Sequence, residues 1–126
     1  MGVGISAAHS NGIINLMRAT SYTSFTPYLR LHTGDPGAAG TSNASAETTR
    51  KALTFANPSG TGSSAATAVT WSTWSAGSEM LTHGSIWDAS SGGNFIMSGQ
   101  LAASLSVTNG ADVTITATTT AGTVAS

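Results

Sequence analysis

Residues 79–100 read EMLTHGSIWDASSGGNFIMSGQ: two apolar-rich runs joined by an acid and a bridge of small residues. Two readings compete for the bridge. One makes it a functional loop, with Asp88 as catalyst or ligand and Gly92-Gly93 cradling an anion. The other makes it a hairpin turn. A phosphate cradle needs its glycine amides to open a helix. Here the glycines lead instead into the strand-like Phe95-Ile96-Met97-Ser98. The stretch therefore predicts a hairpin. Trp87 anchors the core, Asp88 begins the turn and accepts backbone N–H bonds, and Gly92-Gly93 lets the chain reverse into Phe95. Gly84, inside the first run, marks a bulge or a close backbone approach.

The same two-residue period extends outward from the hairpin. In YLRLH (28–32), Leu29 and Leu31 share one face, and Tyr28, Arg30 and His32 share the other, where a solvated or interface histidine is expected. TGDPG (33–37) breaks that strand: Asp35 can bond its own backbone, and Pro36 fixes φ. Residues 38–48 lack apolar periodicity and predict a long exposed loop. KALTFA (51–56) turns Leu53 and Phe55 inward, and TAVTW (67–71) does the same with Val69 and Trp71. LAASLSVT (101–108) puts Leu101, Ala103, Leu105 and Val107 on one face, and Asn109-Gly110 predicts a hairpin into VTITATTT (113–120).

Only the beginning of the chain has a helical period. Ile13, Leu16, Met17 and Thr20 fall on one face, Ser10 can cap the run, and Arg18 suits its C-terminal end. The expected helix has about three turns and lies across one side of a sheet. The fold class is thus all-β, an antiparallel β-sandwich of about seven or eight short strands with one short N-terminal helix. It forms a single domain over 1–126: an arm and helix at 1–26, the sandwich at 27–120, and a tail at 121–126.

Composition narrows the function. Charged residues make up 7% of the 126 residues, against roughly 25% in ordinary soluble domains, and the net charge is −1. Such a chain cannot neutralise a polyphosphate backbone, so nucleic acid is not an expected partner. No apolar run approaches the roughly 20 residues needed to cross a bilayer, so no membrane partner is expected either. Serine and threonine supply the polarity, 39 residues in all. A hydrated surface with so little charge repulsion favours packing against neighbours, as in an assembly component or homo-oligomer.

Catalytic and metal chemistry find little support. The chain has no cysteine and no G-x-S-x-G elbow around any serine. His9, His32 and His83 stand in no recognisable catalytic order. His32 and Asp35 could form a local ligand pair, but the turn explains Asp35 without a metal, and no calcium-loop spacing of oxygens occurs. The expectation is no enzyme, no cofactor, no metal and no catalytic residue. Trp71 and Trp87 lie in strand patterns and predict core positions. Trp74, in WSTWSAG (71–77), lies nearer a loop and predicts an exposed aromatic contact. Candidate partner contacts are Trp74, Arg50, Lys51 and Asn43.

The order of these motifs also carries a resemblance. A short helix leads into YLRLHTGDPGAAG, then TTRKALTFANPSG, THGSIWDASSGGNFIMSGQL and VTNGADVTITATTT. This order resembles a family of small virion proteins of tailed bacteriophages, particularly those of actinobacteria, described as minor tail or tail-fibre-like proteins. Members carry Glu, Gly and an aromatic shortly before the arginine matching Arg50. SNASAETTRK (42–51) lacks the glycine-aromatic pair, so the first long loop is the least transferable part. The resemblance implies a virion protein, assembled in the host cytoplasm, without enzymatic activity.

Charge-poor composition and small size point first to a protein that decorates or cements the capsid by binding the major capsid protein. Its expected contacts are the segment before Ser10, the 38–48 loop and the tail TTTAGTVAS (118–126). The alternative is a minor tail or fibre-associated protein, with Trp74 and nearby loops meeting host glycans.

Overall fold

The computed structural model describes residues 4–18, 23–57 and 63–120. Its elements are helix α1 (Ala7–Met17) and strands β1 (Tyr28–His32), β2 (Lys51–Ala52), β3 (Ser63–Ala65), β4 (Val69–Trp71), β5 (Glu79–Trp87), β6 (Phe95–Val107), β7 (Val113–Ile115) and β8 (Thr118–Thr120). The expected all-β antiparallel class with one short helix is what the chain adopts.

The hairpin that decides the fold is present. β5 and β6 pair antiparallel from Glu79–Val107 to Trp87–Phe95 and form the right half of a four-stranded sheet ordered β2-β1-β5-β6. At its turn, Asp88 accepts from the backbone N–H of Asn94 at 2.7 Å and from its Nδ2 at 2.9 Å, while Gly92 and Gly93 take positive φ. Gly84 is a close approach, since a Cβ there would come within 2.9 Å of Leu29 Cδ1.

Opposite this sheet lie two short ribbons, β3-β8 and β4-β7. Leu29, Leu31, Leu81 and Val107 from the sheet pack with Leu53, Ala66, Trp71, Trp74 and Val113 in one apolar core. The period-two faces of β1, β4 and β7 therefore meet as the sequence predicts.

The Asn109-Gly110 hairpin does not form as expected. The chain turns there, with Gly110 at φ 90°, but β7 pairs with β4 and not with β6. The turn's polar groups explain why: Gly110 N–H donates to Trp74 O, Trp74 N–H to Ala111 O, Gly77 N–H to Asn109 Oδ1, and Thr73 N–H to Asp112 Oδ1. These bonds dock the turn on the 72–77 loop and carry β7 across to the other layer. Register also shifts between Leu81 and His83, where Thr82 alone faces residues 101–104. Ala103 is consequently exposed, not aligned with Leu101 and Leu105.

The helix has the predicted three turns, but it starts at Ala7, is capped by Ser6 Oγ accepting from His9 N–H, and is rotated relative to expectation. Gly12 is its buried residue, whereas Ile13, Ile14, Leu16 and Met17 are exposed, Met17 to 86%. The preceding residues set that rotation. Ile5 bridges to Met97, Ser6 N–H donates to Ile96 O, and Ser98 N–H donates to Gly4 O, so the arm pairs with the outer edge of β6 before the helix begins. Thr20 and the tail 121–126 lie outside the described residues.

Candidate functional site

The outer face of the four-stranded sheet gathers four titratable side chains, Tyr28, Arg30, His32 and His83. Tyr28, Arg30 and His32 of β1 stand opposite Trp87, Ser85 and His83 of β5. Each pair points to the same side, because directly opposed residues of an antiparallel ladder share a face.

This face is only partly open: His32, Ser85 and Trp87 are buried, whereas Tyr28 and Arg30 are partly exposed. Residues 33–48, predicted as an exposed loop, fold back over it. Thr33 N–H donates to Asn43 O, Ser45 N–H to Leu31 O, and Ser42 N–H to Pro36 O. Pro36, Gly40 and Ser45 are buried beneath the loop's own crest. Gly40, at φ 73°, lies so close to Phe95 that a Cβ would overlap the ring. Backbone bonds and small residues hold this loop down, and neither leaves a hydrophobic period in the sequence.

His32 is corrected accordingly, from a solvated position to full burial at 0% exposure. Its Nδ1 lies 2.9 Å from Ser42 O, and its Nε2 lies 2.7 Å from Ser85 Oγ, which also takes the Trp87 Nε1–H at 2.8 Å. A carbonyl can only accept, so Nδ1 carries the proton. An indole N–H can only donate, so Ser85 accepts from Trp87 and donates to His32 Nε2. Burial holds His32's pKa below its ordinary 6.5, with Arg30 and His83 adding to the effect and the Ser42 carbonyl opposing it.

A serine hydrogen-bonded to an oriented histidine has the outline of a nucleophile and its base. Here Ser85 is also 0% exposed, and its lone pair is engaged by the indole, so no substrate atom can approach. The trio joins β1, β5 and the covering loop. Among the described residues no group of three potential metal ligands occurs.

The four candidate contacts fall in different places. Trp74 is corrected from an exposed aromatic to a core residue at 2% exposure, its Nε1 donating to Gly77 O at 2.8 Å. Asn43, at φ 52°, is exposed and closes the loop by donating from Nδ2 to Asp35 O. Lys51 is partly buried in β2 beside Leu29. Arg50 lies with its guanidinium carbon 4.2 Å from the centre of the Trp87 ring and donates from Nη1 to Ala89 O and Gly92 O, both at 2.8 Å. It stacks on the hairpin's anchor and ties down the hairpin's turn. Burial lowers its pKa, and the charge of Arg30 lowers it further, while Asp88 opposes both.

Arg30 is a site residue that sequence reasoning missed. It sits one register step beyond the Leu29–Lys51 pair, across from Arg50, and its Nε is buried with no hydrogen-bond partner. Only its two-residue spacing from Tyr28 and His32 hinted at this face.

With this geometry in view, a family model described as "Podophage GP4 fiber I protein gp80" matches residues 4–123. The chain belongs to the Gp80 family. The match takes in the arm on β6, both layers and the arginine face, and Gp80 is by its description a phage fibre protein, a virion component. No curated protein matches the chain.

Proposed function

We propose that the chain is a non-enzymatic structural protein of the tailed-phage virion, associated with the tail fibres and facing the host surface. The observation that carries this reading is the Gp80 match over residues 4–123, whose description names a fibre protein. Capsid decoration, which composition favoured, draws no support from a fibre family. The chemistry supports a non-enzymatic role, because the described serine–histidine pair is sealed by the 33–48 loop and by Trp87. Its partners are other virion proteins and further copies of the chain. The uncovered arc of Ile13, Ile14, Leu16 and Met17 supports association, since apolar patches of this kind on a virion component serve contacts. An actinobacterial host is part of the proposal and rests on the motif order alone.

Dissociating purified particles and separating heads from tails tests it. Mass spectrometry should find the chain in the tail fraction; enrichment with the major capsid protein would reverse the assignment in favour of decoration.

A further inference from the structure

All five carboxylates cap backbone amides: Asp35 that of Gly37, Glu47 that of Thr49, Glu79 that of Ala46, Asp88 that of Asn94, and Asp112 that of Thr73. The acids are thus occupied in holding turns. Arg30 lies one register step beyond the Leu29–Lys51 pair, beside Arg50, and the carboxylate that acts on Arg50, Asp88, is held by the backbone and side-chain amides of Asn94. In a chain with only four cationic residues, half of them are concentrated here.

We propose that Arg30 and Arg50 form a binding site for an oxyanion displayed on a host-surface saccharide, the carboxylate of an acidic sugar. The inference rests on the host-facing reading above and names the ligand chemistry of that face. Two neighbouring guanidinium groups repel each other unless an anion lies between them, and the guanidinium fork matches a planar carboxylate. Arg50 is already positioned for this role, fixed by the Trp87 ring and two turn carbonyls. Arg30 is partly exposed and holds a buried Nε–H without an acceptor, an unmet donor beside Arg50. Depression of the Arg50 pKa by Arg30 agrees with two charges in mutual range. Ser90 and Ser91 stand exposed on the turn that Arg50 holds, and they supply hydroxyl groups suited to sugar hydroxyls. A free inorganic anion would leave those groups unused.

Calorimetric titration of the full chain with oligosaccharides ending in glucuronate, galacturonate or sialate, with neutral oligosaccharides of equal length, and with inorganic phosphate, tests the site. At least one acidic oligosaccharide should bind saturably, the neutral ones should not, and phosphate should bind at least tenfold more weakly. Arg30→Gln should weaken acidic binding tenfold or more with an unchanged melting temperature, and Arg30→Lys should restore part of it. Arg50→Gln also loosens the turn, so Arg30→Gln decides. Absence of binding to all three acidic probes, equal binding by phosphate, or equal binding by wild type and Arg30→Gln each overturns the site. Any of these failures leaves the tail assignment standing if fractionation finds the chain with the tail, so the two readings fail separately.

Discussion

His32 Nε2 and Ser85 Oγ lie 2.7 Å apart inside the protein, and Trp87 Nε1 closes on the same hydroxyl at 2.8 Å. One hydroxyl thereby satisfies an imidazole and an indole at once. Ser85→Ala leaves both ring nitrogens buried without a partner, each at a cost of roughly 1–3 kcal/mol. Urea denaturation should show that loss as a lower midpoint with an unchanged slope.

The same contact predicts acid sensitivity. His32's pKa is depressed in the folded chain, chiefly by burial, below the 6.5 it has when unfolded. Between those two values the unfolded chain binds more protons, so stability is full above pH 6.5 and falls as the pH drops below it. The loss levels off once the pH is below the folded pKa. His9, also depressed by burial, acts in the same direction. Each histidine contributes at most about 1.4 kcal/mol per pH unit. Melting curves from pH 7.5 to 5 should decline for wild type and decline less steeply for His32→Gln.

Trp74 and Trp87 distinguish core roles from contact roles. Both are buried, so Trp74→Ala and Trp87→Ala should each destabilise the fold by about 3–5 kcal/mol. A Trp74→Ala protein that melts like wild type would restore the exposed-aromatic reading.

Gly40 tests the covering loop. Its positive φ and its approach to Phe95 both exclude a side chain. Gly40→Ala should cost about 1–3 kcal/mol by overpacking and increase amide exchange across 33–45. Gly110→Ala, also at positive φ but with open space around the added carbon, isolates the backbone contribution and should cost less.

Legibility in the sequence followed the type of force. The Trp87–Phe95 hairpin, the Leu29/Leu31 face and the core positions of Trp71 and Val113 were readable, because burial leaves a period of two. The 33–48 loop was not, because the bonds of Thr33, Ser42 and Ser45 are backbone bonds that any residue can make. The rotation of α1 was hidden for a similar reason: pairing of the arm at Ile5 and Ser6 with β6 overrides the apolar arc at Ile13–Met17. Of the candidate site, Arg50 was singled out from its motif. Arg30 was missed because its significance depends on what stands opposite it, and on acids that are engaged elsewhere.

A cryo-EM reconstruction of the intact particle tests the central claim most directly. The account predicts density fitting the four-stranded sheet and its two ribbons at the tail fibres, with the Arg30–Arg50 face turned outward. The same density repeated over the capsid lattice, and absent from the tail, would contradict it.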